Sequence, residues 1–269
     1  ATGTTTASTS FFKRRIVQLW GKIRTVLLIL NAAKQYELKG IIIYSRELNV
    51  VVLLALLGKF LRIPIILELN EWPAARKRIS RGRRMTATLF CRFAPFLVSG
   101  FIVISRFIEQ KLLAIRPSLG TNVYCVPILM DSDEASLQVS SQSLIACQQQ
   151  YILFSGSLDY VDAIYFILET FSAVLQKYSE CALVITGKAS AKENEKRVQE
   201  MIRAKGLVDN VHLTGYLPQE QLRSLQQNAA CLLAPLENDD QSIARMPTKI
   251  AEYLLSAKPV ITSSVGEIP

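Results

Sequence analysis

Residues 245–269 read Arg-Met-Pro-Thr-Lys-Ile-Ala-Glu-Tyr-Leu-Leu-Ser-Ala-Lys-Pro-Val-Ile-Thr-Ser-Ser-Val-Gly-Glu-Ile-Pro, and this stretch decides the interpretation of the chain. Pro247 predicts the first position of a helix, because the fixed φ of proline suits that position. The helix is expected to end before the Lys258-Pro259 pair. A short buried strand at 260–262 and a glycine-containing loop then follow. The order of helix, strand and loop is typical of an α/β fold.

The predicted helix begins among cations and carries a carboxylate one turn later. Free N–H groups and the positive dipole end make a helix start a good phosphate site. Arg245 just before the helix and Lys249 in its first turn add positive charge, and Glu252 lies on the same face as Lys249. This pattern suits a nucleotide, with the diphosphate at the helix start and the ribose hydroxyls at Glu252. The alternative is a surface helix with an ordinary Lys249–Glu252 pair.

The segment at 247–262 resembles the donor-site segment of family 4 glycosyltransferases of the GT-B fold. The resemblance implies that Glu252 binds the ribose of a nucleotide-sugar. It also implies that the helix start, with Thr248, faces the diphosphate. Arg245 and Lys249 would stabilise the departing diphosphate electrostatically. The implied reaction is sugar transfer from a nucleoside diphosphate sugar, with retention at the anomeric carbon and without a metal or another cofactor.

Strand and helix patterns alternate along most of the chain. This alternation predicts an α/β fold with two Rossmann-like doubly wound parallel-sheet domains, both incomplete. Residues 1–130 are predicted to be part of the acceptor-side domain, residues 131–149 a polar Ser- and Gln-rich linker, and residues 150–269 most of the donor-binding domain. The chain starts without Met and stops directly after a strand and loop, which we interpret as a fragment of a longer product, so the missing signal peptide says nothing about the parent.

Three turns after predicted strands complete the expected donor site. Gly156 lets the backbone approach a ligand, and the neighbouring Ser157 is a candidate donor to a phosphate oxygen. The resemblance adds the turn at Gly187 and the turn at Gly215-Tyr216, where backbone groups would hold the base. Taken singly, each of these glycines is a common strand-to-loop glycine. Their order ahead of Glu252 is what favours a site.

Three positions depart from the family pattern. Ser157 and the acidic-aromatic run at 159–162 stand where the family has an Arg and a Lys. Ala244 stands where the family has the first of two paired Glu residues. Ala257 replaces a Gly and would cost roughly 1–2 kcal/mol if its backbone is left-handed. These departures keep open a second interpretation, a catalytically degenerate sugar-nucleotide-binding or membrane scaffold protein.

Glu71, Trp72 and an Asp-x-Asp motif are further candidates for chemistry. Glu71 follows a predicted strand and is expected to accept a proton or bind an acceptor hydroxyl, although a helix-capping role is the alternative. Trp72 either stacks on a sugar or packs internally. A third functional hypothesis is a metal-dependent transferase that uses Asp131 and Asp133, which form an Asp-x-Asp motif. The five scattered cysteines and one histidine predict neither a zinc site nor a disulfide framework, and we expect no metal.

Charge is distributed unevenly, which suggests different partners for the two halves. Residues 1–150 carry a net charge of +12 and residues 151–269 a net charge of −3. No nucleic-acid-binding module accompanies this excess. The six Lys or Arg residues at 76–84, followed by an apolar stripe, instead favour an anionic membrane surface. No helix long and apolar enough to span a membrane is expected, because Lys59 and Arg62 interrupt the longest apolar run. These features predict a cytoplasmic protein, peripheral at the cytoplasmic face of a membrane, that acts on a saccharide or lipid-linked acceptor.

Overall fold

The computed structural model describes residues 11–77, 79–130 and 150–269, which form two compact units. Unit 1 contains Ala1–Pro127 together with Ile243–Arg245, and unit 2 contains Ile128–Ser242 together with Met246–Pro269. Unit 1 has a four-stranded sheet and unit 2 a five-stranded sheet, and all strand pairs within them are parallel. The predicted α/β fold with two parallel sheets is therefore confirmed.

Unit 1 adds its strands in chain order. The elements are α1 (Phe11–Gln35), β1 (Ile41–Ile43), α2 (Leu48–Leu61), β2 (Ile65–Leu69), α3 (Arg81–Leu97), β3 (Gly100–Val103), α4 (Arg106–Ile115) and β4 (Val123–Cys125). The sheet order is β1-β2-β3-β4. Because crossovers between parallel strands are right-handed and these all proceed in one direction, α2, α3 and α4 lie on the same face of the sheet.

The core of unit 1 lies between that face and the helices. β2 alternates buried and partly exposed residues, and its Leu67 is paired with Phe101 of β3; both are completely buried. Ile108 and Leu112 of α4 are also buried. Ser105 begins α4, since its hydroxyl accepts a hydrogen bond from Ile108 N at 3.4 Å.

Unit 2 reverses its winding partway along. Its elements are β5 (Tyr151–Ser155), α5 (Val161–Lys177), β6 (Ala182–Thr186), α6 (Lys192–Ala204), β7 (Val211–Gly215), α7 (Gln219–Asn228), β8 (Cys231–Ala234), α8 (Asp240–Ile243), α9 (Thr248–Leu255) and β9 (Val260–Thr262). The sheet order is β7-β6-β5-β8-β9. One core cluster packs α5 and α6 against the sheet, and a second packs α7 and α9. This unit is doubly wound, as predicted.

Two local expectations are corrected. Pro247 is the N-cap of α9 rather than its first residue, with φ −66° and ψ 125°, and the helix begins at Thr248. The expectation that no helix is long and apolar enough to span a membrane is wrong for Arg15–Gln35 of α1, which meets both conditions by length and composition, with a mean hydropathy of 1.3. The prediction depended on the apolar run that Lys59 and Arg62 interrupt. It did not include α1, where an apolar stretch surrounds Lys22 and Arg24.

Ala257 adopts a left-handed backbone conformation, the conformation in which the sequence analysis expects strain at this position. Its φ is +53°. An L-residue with a Cβ pays roughly 1–2 kcal/mol in this region, whereas glycine does not. Ala257, which follows the C-cap residue Ser256 of α9, is therefore a position of local strain.

Candidate functional site

The candidate site lies where the strand order of unit 2 reverses. β5 pairs with β6 on one side and with β8 on the other, and their connections leave toward opposite faces of the sheet. A crevice at the carboxyl ends of such strands is the usual ligand position in an open α/β sheet. Here β5 is followed by Gly156 and Ser157, and β8 is followed by the chain that leads to α9.

Helix α9 is fixed beneath the end of β5 by Tyr253. This side chain is completely buried, and its hydroxyl accepts a hydrogen bond from Ser155 N at 3.0 Å. Burial raises the pKa of Tyr253, so the phenol stays neutral and keeps its hydrogen-bonding role. Lys249 is four residues earlier and thus on the same face of α9. The anchor at Tyr253 therefore places Lys249 next to the turn that follows β5.

Lys249 and Gly156 are in close contact. A Cβ atom on Gly156 would lie 2.8 Å from Lys249 Nζ and 2.7 Å from the ring of Phe154. Lys249 Nζ is 5.4 Å from the centroid of the same ring, a distance at which a cation is attracted to an aromatic face. Glycine at 156 thus leaves the room that the ammonium group occupies. The turn after β5 therefore lies next to the first turn of α9.

The start of α9 lacks a side-chain cap. Its N-cap, Pro247, makes no side-chain hydrogen bond, and Thr248 in the first turn is exposed. The positive end of a helix and the Lys249 ammonium group thus lie together in unit 2, a combination that favours an anion.

Gly187 and Gly215 join this region through backbone contacts. Gly156 N donates to Thr186 O at 2.9 Å, and Gly187 N donates to Gly215 O at 2.8 Å. Gly187 has φ +127°, and a Cβ atom there would overlap the carbonyl oxygen of Gly156. The three predicted glycine turns are therefore brought together, and the contact at Gly187 requires the absence of a side chain.

Ser157 belongs to a hydrogen-bond network around Asp159. Its hydroxyl lies 3.0 Å from Asp159 Oδ2 and 3.2 Å from Lys188 O. Asp159 also accepts hydrogen bonds from the backbone N and hydroxyl of Ser190 and from Asn194 Nδ2 at 2.9 Å. These bonds, that of the Ser190 side chain first, hold the pKa of Asp159 well below its usual range. The network fixes the turn, and a phosphate oxygen would have to compete with Asp159 for the Ser157 proton.

A pocket of about 280 Å³ lies beside α7 and α9 in unit 2. It brings together Tyr216, which is 75% exposed, and Glu252, two residues predicted to hold the base and the ribose. The other lining residues are Met130, Leu217, Gln219, Leu222, Arg223, Gln226, Gln227, Leu255 and Ser256. The carboxylate, guanidinium, amide and aromatic groups of this lining suit a polar, partly aromatic ligand such as a nucleoside.

Gln226 is a candidate that the sequence interpretation missed. It lines the pocket, is only 4% exposed, and its Nε2 has no hydrogen-bond partner among the described residues. Leaving a buried polar group unpaired costs about 1–3 kcal/mol. The sequence does contain a signal for this residue. Gln226 follows Leu222 by four residues and thus occupies a position where helical periodicity predicts an apolar residue.

The remaining predicted residues lie in unit 1. Arg245 is half-buried, and within the described chain its Nε has no hydrogen-bond partner. Glu71 forms ion pairs with Arg46 and, at 3.8 Å, with Arg76 Nε, and it lines a pocket of about 270 Å³ in unit 1. Trp72 is buried, so of its two interpretations internal packing is the one observed.

Ala244, where the family has a Glu, is completely buried. Its carbonyl oxygen accepts a hydrogen bond from Ser105 Oγ at 2.9 Å. A carboxylate at such a position would lose its hydration, which is unfavourable without a paired charge. The departure from the family pattern is thus matched by a packing environment that suits alanine.

Metal-binding groups are not assembled in the described parts of the chain, where no cluster of three or more His, Cys, Asp or Glu side chains occurs. The Asp131 and Asp133 motif lies outside the described residues. Burial raises the pKa of Cys91 to about 11, and it also raises the pKa values of Cys181 and Cys231. These thiols stay protonated at neutral pH and act as small apolar residues.

Comparison with known proteins places the candidate site within a recognised domain. Residues 149–269 match the family model described as glycosyl transferases group 1. The resemblance inferred from residues 247–262 is thereby confirmed for unit 2. None of the curated proteins matches the chain.

Solved structures extend the likeness to the fold of most of the chain. HepE from Anabaena, solved in complex with UDP-glucose, is 16% identical with a TM-score of 0.63, over 90% of this chain and 63% of HepE. Sucrose-phosphate synthase from Thermosynechococcus elongatus is 15% identical with a TM-score of 0.61, over 91% of this chain and 61% of the synthase. The N-terminal domain of Candida albicans trehalose-6-phosphate phosphatase is 16% identical with a TM-score of 0.62, over 91% of this chain and 60% of that domain. At these identities the likeness establishes the GT-B fold, and the chain spans less than two thirds of each of these structures.

Proposed function

We propose that this protein is a glycosyltransferase that moves a sugar from a nucleoside diphosphate sugar to an acceptor. The observation that carries the proposal is the contact of Lys249 Nζ with the Gly156 turn at the start of α9. It lies inside the region that matches glycosyl transferases group 1. The UDP-glucose bound to HepE supports a nucleotide-sugar as the donor class.

Transfer would depend on stabilising the departing diphosphate. The developing negative charge would lie against the positive end of α9 and the Lys249 ammonium group, which are already in position before the reaction. Glu252 would accept hydrogen bonds from the ribose hydroxyls, and Tyr216 would lie against the base. Arg245 would add a second cation. With these charges supplied by the chain, the proposed reaction needs no metal, and retention at the anomeric carbon follows the family resemblance.

The proposed acceptor is a saccharide or a lipid-linked saccharide, used in the synthesis of a glycan or cell-surface polysaccharide. Glu71 would bind the acceptor hydroxyl or accept its proton. Its ion pairs with Arg46 and Arg76 favour the binding role, because they hold the carboxylate in place at the pocket of unit 1. The proposed location is cytoplasmic, at the membrane face, in keeping with the free thiols of Cys91, Cys181 and Cys231.

A second candidate function is sugar-nucleotide binding without turnover. The observations that favour it are the buried alanine at 244 and the engagement of Ser157 with Asp159, where the family resemblance leads us to expect a Glu and an Arg. Such a protein would keep the contacts of α9 with the donor and lack groups that act on the sugar.

Incubation of the full-length protein with UDP-, GDP- and ADP-sugars and a lipid extract distinguishes the two candidate functions. Mass spectrometry should show consumption of one nucleotide-sugar and a new glycosylated product, and Lys249→Gln should abolish both. Binding without consumption would support the second candidate instead. Failure to bind any nucleotide-sugar would overturn both.

A further inference from the structure

Three helices of unit 1 expose an unusual amount of apolar surface. Of the 28 large hydrophobic side chains that are exposed in the described residues, half lie on α1, α2 and α3. We define the α1–α3 surface by these side chains: Ile16, Val17, Leu19, Trp20, Ile23, Leu27, Leu28, Val52, Leu56, Phe60, Met85, Leu89, Phe93 and Phe96. Concentrations of this size on a protein surface mark interaction sites.

The exposed side chains form stripes rather than scattered points. On α3 they recur every three or four residues, as Met85, Leu89, Phe93 and Phe96, while Phe90, Cys91, Ala94 and Pro95 of the same helix are buried. On α2 they recur every four residues, and Phe60 is 77% exposed. Residues at this spacing lie on one side of a helix. α2 and α3 thus present an apolar side in addition to the one that forms the core, and Arg15–Gln35 of α1 has no buried residue.

The three helices adjoin one another. α1 contacts α2, and α2 contacts α3. Lys22 of α1 also pairs with Glu47, the N-cap of α2, at 3.3 Å. The stripes therefore belong to one layer of unit 1.

Charge identifies the partner of this surface. α1, α2 and α3 contain no Asp or Glu at all. Their basic residues are Lys13, Arg14, Arg15, Lys22, Arg24, Lys34, Lys59, Arg81, Arg83, Arg84 and Arg92. The first turn of α3 is basic, although cations oppose the helix dipole there, so these residues do not stabilise the helix. Apolar stripes with a wholly cationic setting are complementary to an anionic lipid bilayer.

We propose that the α1–α3 surface docks on an anionic membrane, with Arg and Lys side chains on lipid headgroups and the apolar stripes in the acyl boundary. The helices lie along the interface. α1 is long enough to cross a bilayer, but crossing would bury Lys22 and Arg24 near its centre, which is unfavourable for charged side chains. This proposal goes beyond sugar transfer and does not depend on it.

Vesicle flotation tests the proposal. Vesicles of phosphatidylcholine alone are compared with vesicles that contain about one third phosphatidylglycerol. We expect binding to the anionic vesicles only, and release as salt rises from about 0.1 M to about 1 M, because the screening length falls from about 10 Å to about 3 Å. Equal binding to both vesicle types would overturn the proposal.

Paired variants locate the surface. Replacing Arg81, Arg83 and Arg84 by Gln should weaken vesicle binding about 100-fold, since each basic residue contributes about a factor of five. The matched control replaces Lys192, Lys196 and Arg197 of α6 in unit 2 by Gln and should leave binding unchanged. Equal losses in the two triple variants would contradict a surface confined to unit 1.

Apolar variants test insertion. Phe93→Ser with Phe96→Ser should weaken binding at least about tenfold, while Phe166→Ser with Tyr178→Ser, exposed in unit 2, should have no effect. All four sites are exposed, and unchanged circular dichroism melting would show that the variants fold. Vesicle-bound protein should be released by alkaline carbonate. Resistance to carbonate would show that α1 spans the bilayer and would contradict docking along the interface.

Discussion

Units 1 and 2 repeat the same parallel strand-and-helix layering, but the chain winds through them differently. In unit 1 the strands follow chain order, so α2, α3 and α4 share one face of the sheet. In unit 2 the order reverses between β5 and β8, and two core clusters cover the two faces. In an open α/β sheet the usual ligand crevice lies at such a reversal. The strand order of unit 2 is therefore enough to predict the position of the candidate donor site, without reference to its side chains.

The two units also differ in what they expose. Unit 1 carries the α1–α3 surface, and the three helices of this surface contain basic residues and no acidic ones. Unit 2 places a cation, Lys249, against a glycine turn and gathers Glu252, Tyr216 and Gln226 around a pocket. The two proposed roles therefore belong to different units, with donor nucleotide binding in unit 2 and membrane binding in unit 1.

The largest expected effect on stability concerns the contact in unit 2 between the turn at Gly156, after β5, and the turn at Gly187, after β6. Gly187→Ala forces a Cβ atom into the Gly156 carbonyl oxygen and should lower the free energy of unfolding by about 3 kcal/mol or more. Gly206→Ala is the control, because Gly206 also has positive φ, at +67°, but its Cβ meets nothing within 4 Å. It should cost roughly 1–2 kcal/mol. Urea unfolding measures both, and equal costs would contradict the packed-turn account.

An intermediate effect should separate stability from ligand binding at the pocket of unit 2. Gln226→Leu removes a buried, unpaired amide, so the free energy of unfolding should stay unchanged or rise by about 1 kcal/mol. The affinity for a nucleoside diphosphate should fall about tenfold, as expected for one lost hydrogen bond. Gln227→Leu, at the same pocket, is the control and should change affinity little. If Gln226→Leu destabilises the protein without changing affinity, Gln226 is structural only.

The smallest effect should be shared by both units, because each unit contains one residue other than glycine with positive φ among the described residues. Ala257→Gly should stabilise unit 2 by about 0.5–1 kcal/mol, because glycine tolerates φ +53°. Arg62→Gly in unit 1, at φ +58°, should act in the same direction. Ala251→Gly inside α9 is the opposite control, with a loss of about 1 kcal/mol. Thermal unfolding measures all three, and destabilisation by Ala257→Gly would refute the strain.

Much of the fold and part of the site were predictable from local sequence. The alternation of strands and helices predicted the parallel sheets, and the cationic residues at 245 and 249 with the glycine at 156 predicted an anion site. Pro247 shows the usual limit, since proline suits both the N-cap and the first helical position, and the helix begins one residue later. The charge pattern at 76–84 and the basic first helix predicted a basic surface, whereas the contacts of α2 with both α1 and α3 depend on tertiary structure.

Contacts between distant residues account for what the sequence did not predict. The hydrogen bond from Ser155 N to Tyr253 joins residues 98 positions apart, and no local pattern marks it. Asp159 was considered only a departure from the family, whereas its bonds to Ser190 and Asn194 require the loops after β5 and β6 to meet. The ion pairs of Glu71 also depend on tertiary structure.

The proposed function requires that the start of α9 holds two linked phosphoryl groups beside Lys249. Calorimetric titration with UDP, GDP and ADP, and with the corresponding nucleosides, tests this in the wild type, in Lys249→Gln and in the control Lys196→Gln on α6. We predict that Lys249→Gln weakens the preferred diphosphate about 10- to 100-fold, the worth of a charge-assisted hydrogen bond, and leaves the nucleoside unchanged. Equal diphosphate affinity in Lys249→Gln and the wild type would contradict the account.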